Sequence, residues 1–129
     1  MKKFENFQRA LKNLRQIRQY DEPYEMIVLT GQVALYELCF EQSWKTMKEI
    51  LENHGYSESQ TGSPRSILKV AFKAGMIEDE KLWAEALESR NNVAHAYNES
   101  IALDIVQRTK NQYIGMFDAL EKELLEKWV

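Results

Sequence analysis

Residues 26–53 read MIVLTGQVALYELCFEQSWKTMKEILEN, and their spacing decides the fold. Met26, Leu29, Val33, Tyr36, Phe40, Trp44, Met47 and Leu51 recur at steps of three and four. That alternation puts them on one side of an α-helix of about seven turns, and it assigns Trp44 to the core. The pattern stops at His54-Gly55, where glycine can take the left-handed position just past a helix C-terminus. His54 is expected there as a helix-end histidine facing the negative end of the dipole.

The same alternation continues outward. Phe4, Phe7, Leu11 and Leu14 predict a helix over roughly residues 3–19. Asp21-Glu22-Pro23 breaks it, with Pro23 suited to the first turn of the next helix. Downstream, residues 56–62 form a polar, turn-rich loop, and Ser63-Pro64 is a hydroxyl cap followed by proline at the first helical position. Ile67, Leu68, Ala71 and Phe72 give the apolar side of a short helix that ends at Gly75. Arg65, Lys69 and Lys73 recur every four residues on another face of it. Asp79 can cap a fourth helix containing Leu82, Trp83, Ala86 and Leu87 and running to about Ala94. Asn98 or Ser100 can cap a fifth, carrying Ile101, Ile105, Tyr113, Ile114, Met116, Phe117, Leu120 and Leu124. These elements predict an all-α chain, one domain over residues 1–129, folded as an up-and-down four-helix bundle with one additional short helix. Three Trp, six Tyr and five Phe are many for so small a bundle, and a homodimer interface is expected to take some of them.

Composition narrows the function. With 44% hydrophobic and 29% charged residues but five Gly and two Pro, long helices are favoured over a many-turned β fold. A single cysteine, Cys39, excludes an internal disulfide and suits a reducing cytoplasm; its place in an apolar stripe predicts a packed thiol. The basic start Met1-Lys2-Lys3 leads into an amphipathic segment, which predicts neither a secretory leader nor a membrane span. Two histidines and one cysteine make a poor metal-ligand set. The net charge of −3 argues against a nucleic-acid packaging role, yet it is uneven. Lys2, Lys3, Arg9, Lys12, Arg15 and Arg18 face Glu5 alone near the start, whereas Asp118, Glu121, Glu123 and Glu126 dominate the end.

Residues 90–97, Arg-Asn-Asn-Val-Ala-His-Ala-Tyr, concentrate the chemistry. Arginine forks onto phosphate oxygens, and histidine exchanges protons near neutral pH. Asn91 and His95 are four apart and share a helix face, but Arg90 and His95 are five apart, about 140° around an ideal helix. They converge only if the helix ends or distorts near His95, or if a second copy completes the site. Two readings stay open on spacing alone. In one, Arg90 pairs with a carboxylate such as Glu88 or Asp104 and His95 supports the helix end. In the other, the pair handles a phosphodiester, with Tyr97 accessible in the turn beyond.

Three stretches in order extend this motif: residues 38–48, with Phe40-Glu41-x-x-Trp44-Lys45-x-Met47-Lys48; Gly62-Ser63-Pro64-Arg65; and residues 71–77, followed by Arg90-x4-His95-x-Tyr97. Together they resemble the HEPN superfamily, in particular its branch of nucleotidyltransferase substrate-binding proteins. Met47 stands where that pattern has leucine. The resemblance implies a metal-independent ribonuclease toxin of a type VII-like HEPN–MNT toxin–antitoxin pair. Its partners would be an RNA substrate, a second copy of the chain and a minimal nucleotidyltransferase antitoxin, with no cofactor. It further implies that His95 acts as general base or acid, that Arg90 neutralises the phosphorane, that Asn91 orients His95 or the phosphate, and that AMP transfer to Tyr97 silences the site. Arg65, Lys69 and Lys73, with the basic first helix, would flank bound RNA. The alternative is a non-catalytic substrate-binding or regulatory subunit of the nucleotidyltransferase, which has no need of an ionisable His95.

Overall fold

A computed structural model describes residues 2–56 and 62–129, all of them in helices and their connections. Helix α1 (Lys2–Arg15) tightens into a 3-10 turn at Gln16–Gln19. The long helix α2 (Met26–Asn53) follows, then α3 (Pro64–Lys73) and α4 (Glu80–Asn92), which ends in a 3-10 turn at Val93–His95. The last helix, expected as one piece, is divided into α5 (Glu99–Arg108) and α6 (Ile114–Glu123) by a π-helical turn at Thr109–Tyr113. A second π turn spans Leu124–Trp128. Thr109 opens the first of these: its buried hydroxyl donates to the Ile105 carbonyl at 2.7 Å, an acceptor it shares with its own backbone N–H.

The caps read from the sequence are present. Ser63 accepts from the Ser66 amide, with Pro64 at the start of α3. Asp79 accepts from the Leu82 amide at 3.0 Å. Of the two candidates before α5, Asn98 is the cap. Gly55 and Gly75, with φ of 86° and 80°, terminate α2 and α3 in the left-handed region. Pro23 departs from expectation: it lies in the connection, and Glu25 is the residue that precedes α2. Residues 57–61 of the anticipated loop lie outside the described residues.

Helix α2 is the axis of the bundle. Leu29, Val33, Tyr36, Cys39, Phe40, Met47, Ile50 and Leu51 are buried along its whole length, against Phe4, Phe7, Leu11 and Leu14 of α1 and the inner faces of α3 to α6. Half of the aromatic residues go into the core, while Tyr20, Phe72 and Tyr97 stay exposed. Tyr36 stacks on Tyr113 at 5.2 Å, and Phe117 meets Trp83 edge-on at 5.6 Å and Phe7 at 6.2 Å. Trp44 is not in that cluster. It is only partly buried at the rim, its indole N–H donating to Glu41 at 3.2 Å. Burial pushes the Cys39 thiol well up, which keeps it protonated and inert.

The uneven charge along the chain proves to be a contact. Arg15 in the last turn of α1 donates to Asp118 at 2.6 Å and to Glu121 at 3.1 Å, joining the basic first helix to the acidic face of α6. Among the described residues no helix is long and apolar enough to cross a membrane.

Two stability predictions follow from burial. Trp83→Ala is expected to cost about 3–5 kcal/mol, and Trp44→Ala about 1–2, in urea unfolding. Both amide atoms of Gln32 are buried with no hydrogen-bond partner among the described residues. Gln32→Met should therefore raise stability, by about 1 kcal/mol, and a loss of that size would show that the amide is satisfied.

Candidate functional site

The end of α4 is fastened from behind. Buried Tyr36 donates to the Ala86 carbonyl. Tyr113 reaches the Glu85 carbonyl at 3.3 Å and shares a 2.7 Å hydrogen bond with Ser89. The π turn ends at Tyr113, so the irregularity in the last helix lies beside the helix that carries residue 90. Burial raises the pKa of Tyr113, opposed by the Ser89 hydrogen bond and by Arg108, and both phenols stay protonated donors at neutral pH.

Arg90 is half-buried, and its partner is one the sequence did not suggest. Its Nε donates to Glu41 Oε1 at 2.5 Å, with the two side chains 28% and 22% exposed. Glu88 and Asp104, the expected carboxylates, do not pair with it; Asp104 accepts from Arg108 instead. The other oxygen of Glu41 accepts the Trp44 indole N–H. Phe40-Glu41-x-x-Trp44 thereby acquires a physical meaning: Phe40 anchors α2 in the core, and one turn places an indole beside a carboxylate that fixes Arg90. The Glu41–Trp44 spacing of three was the available signal. Arg90 Nη1 also donates to Asn91 Oδ1 at 3.2 Å, which ties Asn91 to the arginine rather than to His95.

His95 and Tyr97 form the second half. The 3-10 turn advances roughly 120° per residue, so His95 is carried about 200° around the axis from Arg90 rather than towards it. Among the described residues no hydrogen bond joins the two side chains. The His95 carbonyl accepts from the Asn98 amide at 3.0 Å, and its exposed ring lies edge-on to Tyr97 at 6.4 Å. Tyr97 is 83% exposed, in the turn beyond α4. One chain thus brings Arg90 to Asn91 and His95 to Tyr97, and leaves the two pairs apart. Arg65, Lys69 and Lys73 are exposed on α3. His54, at the far end of α2, contacts the Trp128 carbonyl at 3.1 Å and is a link to the chain end. Among the described residues no three His, Cys, Asp or Glu side chains are grouped to hold a metal ion.

Residues 2–126 match the model of the family described as nucleotidyltransferase substrate binding protein like. The chain belongs to that family. It falls in the nucleotidyltransferase substrate-binding branch of HEPN proteins. A Haemophilus influenzae protein called probable ribonuclease HepT is 26% identical over 80 residues, which cover 60% of this chain and 55% of that relative. The match therefore spans about half the length of that relative. Two solved structures share the helical fold. One, from Thermus thermophilus, has a TM-score of 0.79 at 22% identity, covering 92% of this chain and 98% of its own. The other, from Haemophilus influenzae and described as the fold of a substrate binding domain of a nucleotidyltransferase, has a TM-score of 0.81 at 18% identity. It covers 95% of this chain and 99% of its own.

For this family member, Glu41 is expected to position Arg90. Glu41→Ala should cost about 1–2 kcal/mol in urea unfolding, because it strips a half-buried guanidinium and an indole N–H of one acceptor group. Glu41→Gln keeps an oxygen for one of them and should cost less than half as much; equal losses would mean that charge alone matters.

Proposed function

We propose that this chain is a metal-independent ribonuclease of the HEPN–MNT toxin–antitoxin class, active as a homodimer in the cytoplasm and controlled by a nucleotidyltransferase partner. The observation that carries the reading is the arrangement of residues 90–97: a fixed arginine on one side of the α4 end and an exposed histidine and tyrosine on the other. A second copy supplies the missing convergence. Support for a dimer comes from α2, where Ile27, Gly31, Ala34 and Leu38 form an exposed apolar stripe with Glu41 one turn beyond it.

In this reading one His95 takes the proton of the ribose 2′-hydroxyl, whose oxygen attacks the adjacent phosphorus. The bond from phosphorus to the 5′-oxygen breaks, and the other His95 protonates that oxygen. The products are a 2′,3′-cyclic phosphate and a 5′-hydroxyl. Arg90 offsets the charge that builds on the phosphorane, with Asn91 held against it. Tyr97 accepts AMP from ATP with release of pyrophosphate, which places bulk and negative charge beside His95. A second reading, a substrate-binding subunit without catalysis, is favoured by the pairing of Arg90 with Glu41 inside one chain.

The test is cleavage of RNA in EDTA by protein whose intact mass shows Tyr97 unmodified. His95→Ala is expected to lower the rate at least about 100-fold while staying within about 1 kcal/mol of wild-type stability. Tyr97→Phe should cleave normally and resist silencing by the partner with ATP. Unmodified wild-type protein that does not cleave would leave the substrate-binding reading in its place.

A further inference from the structure

Helix α3 presents a face that neither the core nor the proposed cleavage site uses. Arg65, Lys69 and Lys73 are exposed there, as is Lys81 on α4, and none of the four has a carboxylate partner among the described residues. Arg90 is balanced by Glu41, and Arg15 by Asp118 and Glu121.

Phe72 adds what charge alone does not. The sequence places it on the apolar side of α3, yet it is 41% exposed. At 100° per residue it lies roughly 20° from Arg65 and 60° from Lys69 around the helix, so an aromatic ring stands among the cations. Beside it, Arg65, Lys69 and Lys81 rim a cleft of about 300 Å³ between α3 and α4, floored by Leu68 and Leu87 and carrying Glu80 on its edge. Lys81, Ala84, Glu88 and Asn91 succeed one another on the exposed side of α4. Beyond the cleft, that face of α4 thus leads from Lys81 past Glu88 to Asn91, about 15 Å along the helix.

We propose that the α3–α4 cleft and Phe72 form a track for single-stranded RNA, with phosphates on Arg65, Lys69 and Lys81 and a base stacked on Phe72. The track directs the strand along α4 towards Asn91. This deepens the ribonuclease reading by naming where its substrate lies, but binding is separable from cleavage. Uncompensated cations alone would suit any acidic surface. An exposed ring among them is the stacking platform that single strands use without regard to sequence.

The experiment is fluorescence anisotropy of a labelled oligouridylate with full-length His95→Ala protein in EDTA, titrated over a range of salt. Arg65→Ala, Lys69→Ala and Lys81→Ala should each weaken binding about three- to tenfold and reduce the slope of log affinity against log salt by about 0.7. Phe72→Leu, which keeps the apolar packing and removes the ring, should weaken binding at least about fivefold with an unchanged salt slope. Lys122→Ala on α6, an exposed cation on the acidic face, is the control and should bind as the parent does. Cation variants that bind RNA normally would overturn the proposal. So would the same variants losing only the nucleotidyltransferase partner, since the surface would then be a protein interface. A Phe72→Leu protein with parental affinity would remove the stacking role and with it the track. If unmodified wild type fails to cleave while these variants still lose affinity, the track stands and the ribonuclease reading falls.

Discussion

Burying α2 along its whole length while holding a guanidinium halfway along it is the constraint around which the other helices are arranged. The inner residues from Leu29 to Leu51 need cover on more than one side, and α1, α3, α4 and α5 all pack against this helix. Hydrophobic burial has no direction, so it does not by itself say how far each helix slides along α2. Directional contacts supply that register. Thr46 donates to the Lys3 carbonyl, Tyr36 to the Ala86 carbonyl, and Glu41 accepts Arg90. Two of these three fix α4, and α4 carries the candidate site. The contacts that select one packing of the bundle are therefore the same ones that orient Arg90.

Charge is distributed by the same logic. Where basic and acidic segments face each other they are spent on structure, as with Arg15 against α6. Such partly exposed pairs contribute little stability individually, but they consume cations that the sequence alone leaves available. Residues 2–18 look like a basic arm when read linearly; in the fold, Lys3 and Arg15 are already engaged. The stripe on α3 forms no ion pair among the described residues, although Glu80 lies on the edge of the cleft beside it. A net-acidic protein can therefore present a local positive surface without contradiction.

Most of the helices were legible because their signals are local: three- and four-residue spacing, a hydroxyl or carboxamide before a helix, a glycine after it. The site motif was legible as a motif. What the sequence did not disclose depends on distance or on a competing hydrogen bond. Trp44 fits the apolar period of α2, yet it lies at the rim because its indole is drawn to Glu41 one turn away. Phe72 fits the apolar side of α3, but a short helix covers only a narrow strip and leaves the ring outside. The partner of Arg90 lies 49 positions away, whereas spacing along the helix points only to nearer carboxylates. The π turn at Thr109–Tyr113 breaks the last helix at a place that no periodicity reveals.

The pairing of Arg90 also limits what this arginine can contribute. A guanidinium has five N–H donors, and Glu41 and Asn91 take Nε and one hydrogen of Nη1. The remaining donors are free in direction to meet a phosphate, so Glu41 orients the fork rather than closing it. Yet the pair as a whole is neutral, and a neutral pair exerts little long-range pull on a polyanion. Attraction of a nucleic acid must then come from charges elsewhere on the molecule, while Arg90 acts at short range on the charge that appears as the phosphorane forms. Separating the two tasks has a chemical advantage. An arginine free to bind ground-state phosphates tightly would hold substrate and product alike, whereas one already balanced by a carboxylate gains most where extra negative charge develops.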